Sequence, residues 1–168
     1  MKYLKYYIST LTLITAIHAC FLGEYYPTLF FVGFSLFIIL GDMILREDSE
    51  EQRYAHTFLL DLPMYLNFII LTIVILMSVF VLSSAPTGLF ANSIMNYLNI
   101  DLLEVRGSLN GSDAVCLVAL MGLFIGIMGT VPGHELVHRK KNKFDMFMGN
   151  WLLALSWDCA FAVEHVYG

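Results

Sequence analysis

The chain has 168 residues, 58% hydrophobic and only 14% charged, with a mean hydropathy of +0.73 and a formal net charge of −5. A soluble globular domain is ~45–50% apolar and ~25% charged, so this composition excludes an ordinary soluble domain. It also gives no basis for nucleic-acid binding, because the single basic cluster, Arg139-Lys140-Lys141-Asn142-Lys143, abuts an apolar run and reads as a topology signal.

Taken in chain order, the first apolar segment covers residues 6–23, with Tyr3, Tyr6 and Tyr7 flanking one end and Tyr25 and Tyr26 the other. Tyrosines at both ends are what a span needs at the two interfaces. Lys2 and Lys5 precede it without a small-residue cleavage site after it, so it reads as an uncleaved span. The second segment, 25–41, is uncharged until Asp42, and a charged loop over 46–56 follows. Residues 62–100 carry no charge at all, which is too long for one span of ~20 residues. The stretch Ser83-Ser84-Ala85-Pro86-Thr87-Gly88 divides it into a third span, 62–84, and a partly interfacial loop, 85–113. The fourth span is 114–133. Residues 144–163 are apolar, but Asp145 and Asp158 bracket an uncharged core of only 12 residues, 146–157. Such a short run suits a re-entrant or interfacial helix better than a crossing. Cys20, Cys116 and Cys159 are scattered in apolar segments and form no disulfide framework.

Of the nine Lys and Arg, all but Arg106 fall on one side of this arrangement, so the positive-inside rule puts the N-terminus in the cytoplasm. The expected fold is therefore all-α: a single multi-pass membrane domain over 1–168, with about four spans and one re-entrant or interfacial helix.

The chemistry-bearing stretch is Gly133-His134-Glu135-Leu136-Val137-His138-Arg139, where the last span leaves the membrane. Two histidines four apart share a helix face, so both imidazoles can reach one metal ion. A third, His165, sits in Glu164-His165-Val166-Tyr167-Gly168, and a non-crossing segment between would return it to the same side. His134, His138 and His165 are the candidate ligands, with Glu135, Glu164 and Asp42 as candidate orienters of ligand N–H groups. Asp158 is a weaker candidate of the same kind, and His18 and His56 read as structural and solvated.

His-Glu-x-x-His is open to two chemistries. A zinc protease would use the histidines as ligands and Glu135 as general base; a membrane oxygenase would use them to hold iron. The fuller pattern, His134-Glu135-Leu136-Val137-His138-Arg139 followed by Glu164-His165 and Gly168, resembles the integral-membrane alkane hydroxylases of the fatty-acid desaturase/hydroxylase superfamily. Their first box looks like His-Glu-Leu-x-His-Lys/Arg and their second like Glu-His-x-x-Gly-His-His. Gly41-Asp42 and Phe58-Leu59-Leu60-Asp61-Leu62-Pro63 also look like the family's second and third spans, with less specificity. The resemblance implies two non-haem irons, terminal hydroxylation of medium-chain alkanes with O2, electrons from rubredoxin and rubredoxin reductase, and a bacterial inner-membrane location. It also implies further ligands beyond residue 168, so the chain is expected to be the N-terminal part of such an enzyme, inactive alone. The rivals are a fatty-acyl desaturase or hydroxylase of the same superfamily, an HExxH membrane zinc metalloprotease, and a non-enzymatic remnant.

Overall fold

The computed structural model describes residues 3–44, 54–86, 88–158 and 160–167. Arg46, Glu47, Asp48, Glu50, Glu51 and Arg53 of the charged loop lie outside the described residues, as do Lys2, Thr87, Cys159 and Gly168.

The described elements are all helical. A 3-10 turn, Leu4–Tyr7, leads into α1, Ile8–Cys20; then come α2, Tyr26–Ile44, and α3, Phe58–Leu82. Two short helices follow, α4, Leu89–Leu98, and α5, Leu102–Ser108. Next is α6, Gly111–Phe124, which runs through a π-helical segment, Ile125–Thr130, into α7, Val131–Val137. The chain finishes with α8, Lys143–Ala154, and a second π-helical segment, Ala162–Tyr167.

Among the described residues, three stretches are long and apolar enough to cross a membrane: Tyr26–Ile44, Phe58–Leu82 and Gly111–Val137. On α2 only 6% of the apolar window is buried, leaving Leu36, Phe37 and Ile39 more than half exposed, an apolar surface suited to lipid rather than water. The segment expected as the first span has a regular helix, α1, of only 13 residues. The expected loop at 85–113 is instead largely helical, because Asp101 caps α5 by accepting from the backbone N–H groups of Leu103 and Glu104.

The chain divides into two compact units. In the one formed by Ala16–Thr57 and Met77–Leu120, Arg106 donates to the carbonyl oxygens of Phe80 and Ala85, satisfying acceptors that the end of α3 leaves open. Gly23 has φ +83°, and a Cβ there would lie 2.3 Å from Ser108 Oγ, so a side chain at this turn would be strained and would displace Ser108.

The other unit, Met1–Thr15, Phe58–Leu76 and Met121–Gly168, contains His134, His138 and His165. Its buried core includes Leu71, Phe124, Leu136, Leu152 and Leu153. Asn67, 3% exposed on α3, accepts from the Thr10 hydroxyl at 2.7 Å and donates to Ser9 at 3.0 Å, tying α3 to α1. α8 turns back along α7, with Gly149 against Gly133 and Leu152 near Gly129. At ~1.5 Å rise per residue its 12 residues reach ~18 Å, well short of a ~30 Å hydrocarbon core. α8 is thus an arm too short to cross, packed on the last long helix.

Candidate metal centre

The site is assembled from two ends of this hairpin. α7 presents His134 and, one turn on, His138 at its C-terminal cap. A short turn follows, and Asn142 starts α8 by accepting from the N–H groups of Phe144 and Asp145. At the far end of α8 the chain reverses through Trp157, which has φ +63°. The N–H of Trp157 donates to Ala154 and that of Asp158 to Leu153, the bonding of a Schellman turn with tryptophan where glycine is usual. The reversed chain then enters the second π-helical segment, which carries His165.

The three imidazoles converge. His134 Nε2 and His138 Nε2 are 2.9 Å apart, and one ring nitrogen from each of the three histidines lies within 4.8 Å of the others. Ring centroids are separated by 4.8 Å for His134–His138, 5.0 Å for His134–His165 and 5.3 Å for His138–His165. Nitrogens ~2.1 Å from a common ion sit roughly 3 Å apart when adjacent and roughly 4.2 Å apart when opposed, so small side-chain rotations close the set on one metal. Neutral imidazoles suit Fe, Zn, Cu and Ni alike, and the donor set alone does not choose among them.

Phe161 was not anticipated from the sequence. Its ring lies 4.9 Å from that of His134 and 4.8 Å from that of His165, forming an apolar wall on one side of the cluster. Nothing in a lone phenylalanine of an apolar run signals this role.

Among the candidate orienters, Glu164 is exposed and shares an open hollow of about 290 Å³ with Asp158, Phe161 and His165. Glu135, also exposed, points to Arg139, 3.4 Å away, rather than to a histidine. Asp42 is exposed on α2, which belongs to the other compact unit, as do His18 and His56.

No family model, curated protein or solved structure matches the chain. The reading of the site therefore rests on its residues.

Next to the ligands is a charged network. Arg139 Nη1 is 2.6 Å from Asp61 on α3 and 3.5 Å from Asp145 on α8, and Tyr65 on α3 donates to the other Asp145 oxygen. Asp145 is only 2% exposed, so both oxygens meet protein partners rather than water. Partial burial pushes the Arg139 pKa down, but the hydrogen bond and charge of Asp61, with the charges of Asp145 and Glu135, outweigh it and hold the guanidinium above its ordinary value. Beside this network, on the face of α7 next to the histidine stripe, is an apolar hollow of about 470 Å³. It is lined by Leu60, Pro63, Met64, Ile127, Val131 and Pro132, with Glu135 and Arg139 at its polar edge.

Proposed function

We propose that this protein is an integral-membrane non-haem di-iron monooxygenase that hydroxylates the terminal carbon of medium-chain alkanes. The single observation that supports this most is the convergence of His134, His138 and His165 at the end of a long apolar helix. Ionisable side chains at such a position are functional by default.

In this reading the three histidines hold one iron, and the second iron draws on other ligands. Bound iron supplies the dioxygen and one-electron chemistry that no side-chain acid or base provides. The overall balance is alkane, dioxygen, an electron pair and a proton pair giving alcohol and water, with the electrons delivered by rubredoxin and its reductase. Phe161 keeps water from one side of the cluster, and the apolar hollow beside α7 has the size and polarity to receive an alkyl chain from the bilayer. The N-terminus and histidines face the cytoplasm of a bacterial inner membrane, residues 6–23 forming the first of four spans, in keeping with the distribution of Lys and Arg.

A fatty-acyl substrate fits the same hollow and is the second reading. The zinc protease is the weaker rival: its general base would be Glu135, whose carboxylate is turned to Arg139.

The test is metal and product analysis of the full-length protein in membranes. Iron in the purified protein and 1-octanol from octane, both lost in His138→Ala with membrane insertion retained, are the expected results. Zinc in place of iron, or full turnover in His138→Ala, would sink the proposal; hydroxylated or unsaturated fatty acid without octanol would select the acyl reading.

A further inference from the structure

His138 stands at the C-terminal cap of α7, with φ −69° and ψ −17°. Helix ends fray, so the helix alone does not hold this ring in place. His165 has the converse difficulty, arriving at the end of an arm that leaves α7 by the turn at 138–142. One side chain ties both together. Arg139, immediately after His138, reaches Asp61 on α3 at 2.6 Å and Asp145, in the first turn of the arm, at 3.5 Å. Its backbone also closes the turn: its N–H donates to Leu136 and its carbonyl accepts from Asn142, the residue that caps α8. Tyr65 holds Asp145 from the α3 side.

We propose that Arg139, bridged between Asp61 and Asp145, is a positioning residue that sets the geometry of the metal ligands by locking the turn between His138 and the arm carrying His165. The proposal rests on the reading of the histidines as a metal site. Nη1 alone meets both carboxylates, Asp61 through a hydrogen bond and Asp145 as a longer ion pair, while Nη2 faces Glu135. The rigid planar guanidinium, anchored at both nitrogens, holds Nη1 in a direction that a freely rotating ammonium does not. Asp61 is the anchor on the long helix, and Asp145 the anchor on the arm.

The experiment uses cobalt(II) as the probe, titrated into the full-length detergent-purified protein. Its visible absorption reports ligand geometry, while circular dichroism and thermal melting report folding. Wild type is expected to bind cobalt, and His138→Ala to lose the signal. Asp61→Asn, close in shape to the native residue, is expected to lower cobalt affinity about tenfold and to shift the visible bands, with helicity retained. Arg139→Gln is expected to do the same, and Arg139→Lys to recover part of the affinity without restoring the wild-type spectrum. Wild-type affinity and spectrum in both Asp61→Asn and Arg139→Gln would overturn the proposal. So would a lowered melting temperature with an unchanged cobalt spectrum in the folded fraction, since that is the mark of a merely structural tie. Wild type that binds no cobalt would remove the metal reading itself, a result distinguishable from either.

Discussion

Gly149 lies directly against Gly133: a Cβ on Gly149 would be 2.9 Å from the Gly133 carbonyl oxygen and 2.8 Å from Val137 Cγ1. One obstacle is backbone, so the arm cannot accept a methyl group here without moving off α7. Gly149→Ala is expected to cost about 1–3 kcal/mol, a fall of roughly 3–10 °C in melting temperature for a chain of this size. Gly122→Ala, at an exposed helical position with nothing within 4 Å of the new Cβ, is expected to raise it slightly. Opposite shifts in the two melts are the check; equal shifts would mean that the α7–α8 contact is looser than drawn.

Tyr65→Phe deletes one donor to the buried Asp145 carboxylate and leaves the aromatic ring in place. An acceptor left short of a partner away from water costs about 1–3 kcal/mol. Tyr97→Phe, at a position 87% exposed, is expected to change nothing. Thermal unfolding of both variants in the same detergent separates the bond from a general effect of losing a phenol.

Asn67 and Thr10 form a polar contact between two apolar helices. A double-mutant cycle with Asn67→Leu and Thr10→Val is expected to give a coupling of about 0.6–2 kcal/mol, the range for interhelical hydrogen bonds in lipid. A coupling near zero would show that each side chain finds another partner when the first is removed.

The orientation is tested by reporters. A fusion after Lys143 is expected to read cytoplasmic and one after Gly107 external; the reverse pattern would overturn the assignment drawn from the basic residues.

Much of the helical plan was legible because uncharged runs ~20 residues long have few other uses in water. The return of His165 was legible for a related reason: residues 146–157 are too few to cross, so the chain had to come back. Helices α4 and α5 were missed within an expected loop. The signal for α5 was present in Asp101-Leu102-Leu103-Glu104, a capping pattern ahead of a helix. The bridge from Arg139 to Asp61 and Asp145 was not legible, since it joins residues 78 positions apart and side-chain direction is a product of packing. For the same reason Glu135, expected to orient a histidine, was found facing Arg139.

The π-helical segment at Ile125–Thr130 has a consequence for rotation rather than length. A π-turn holds an extra residue, and each residue of an α-helix accounts for ~100° about its axis. The azimuth at which His134 and His138 leave the last long helix is therefore set by that one surplus position, some two turns upstream. Winding those six residues as regular α-helix at unchanged length, with no ligand altered, would swing both imidazoles by about a quarter turn, away from His165, whereas deleting one residue from 125–130 would regularise the helix and leave their direction nearly unchanged.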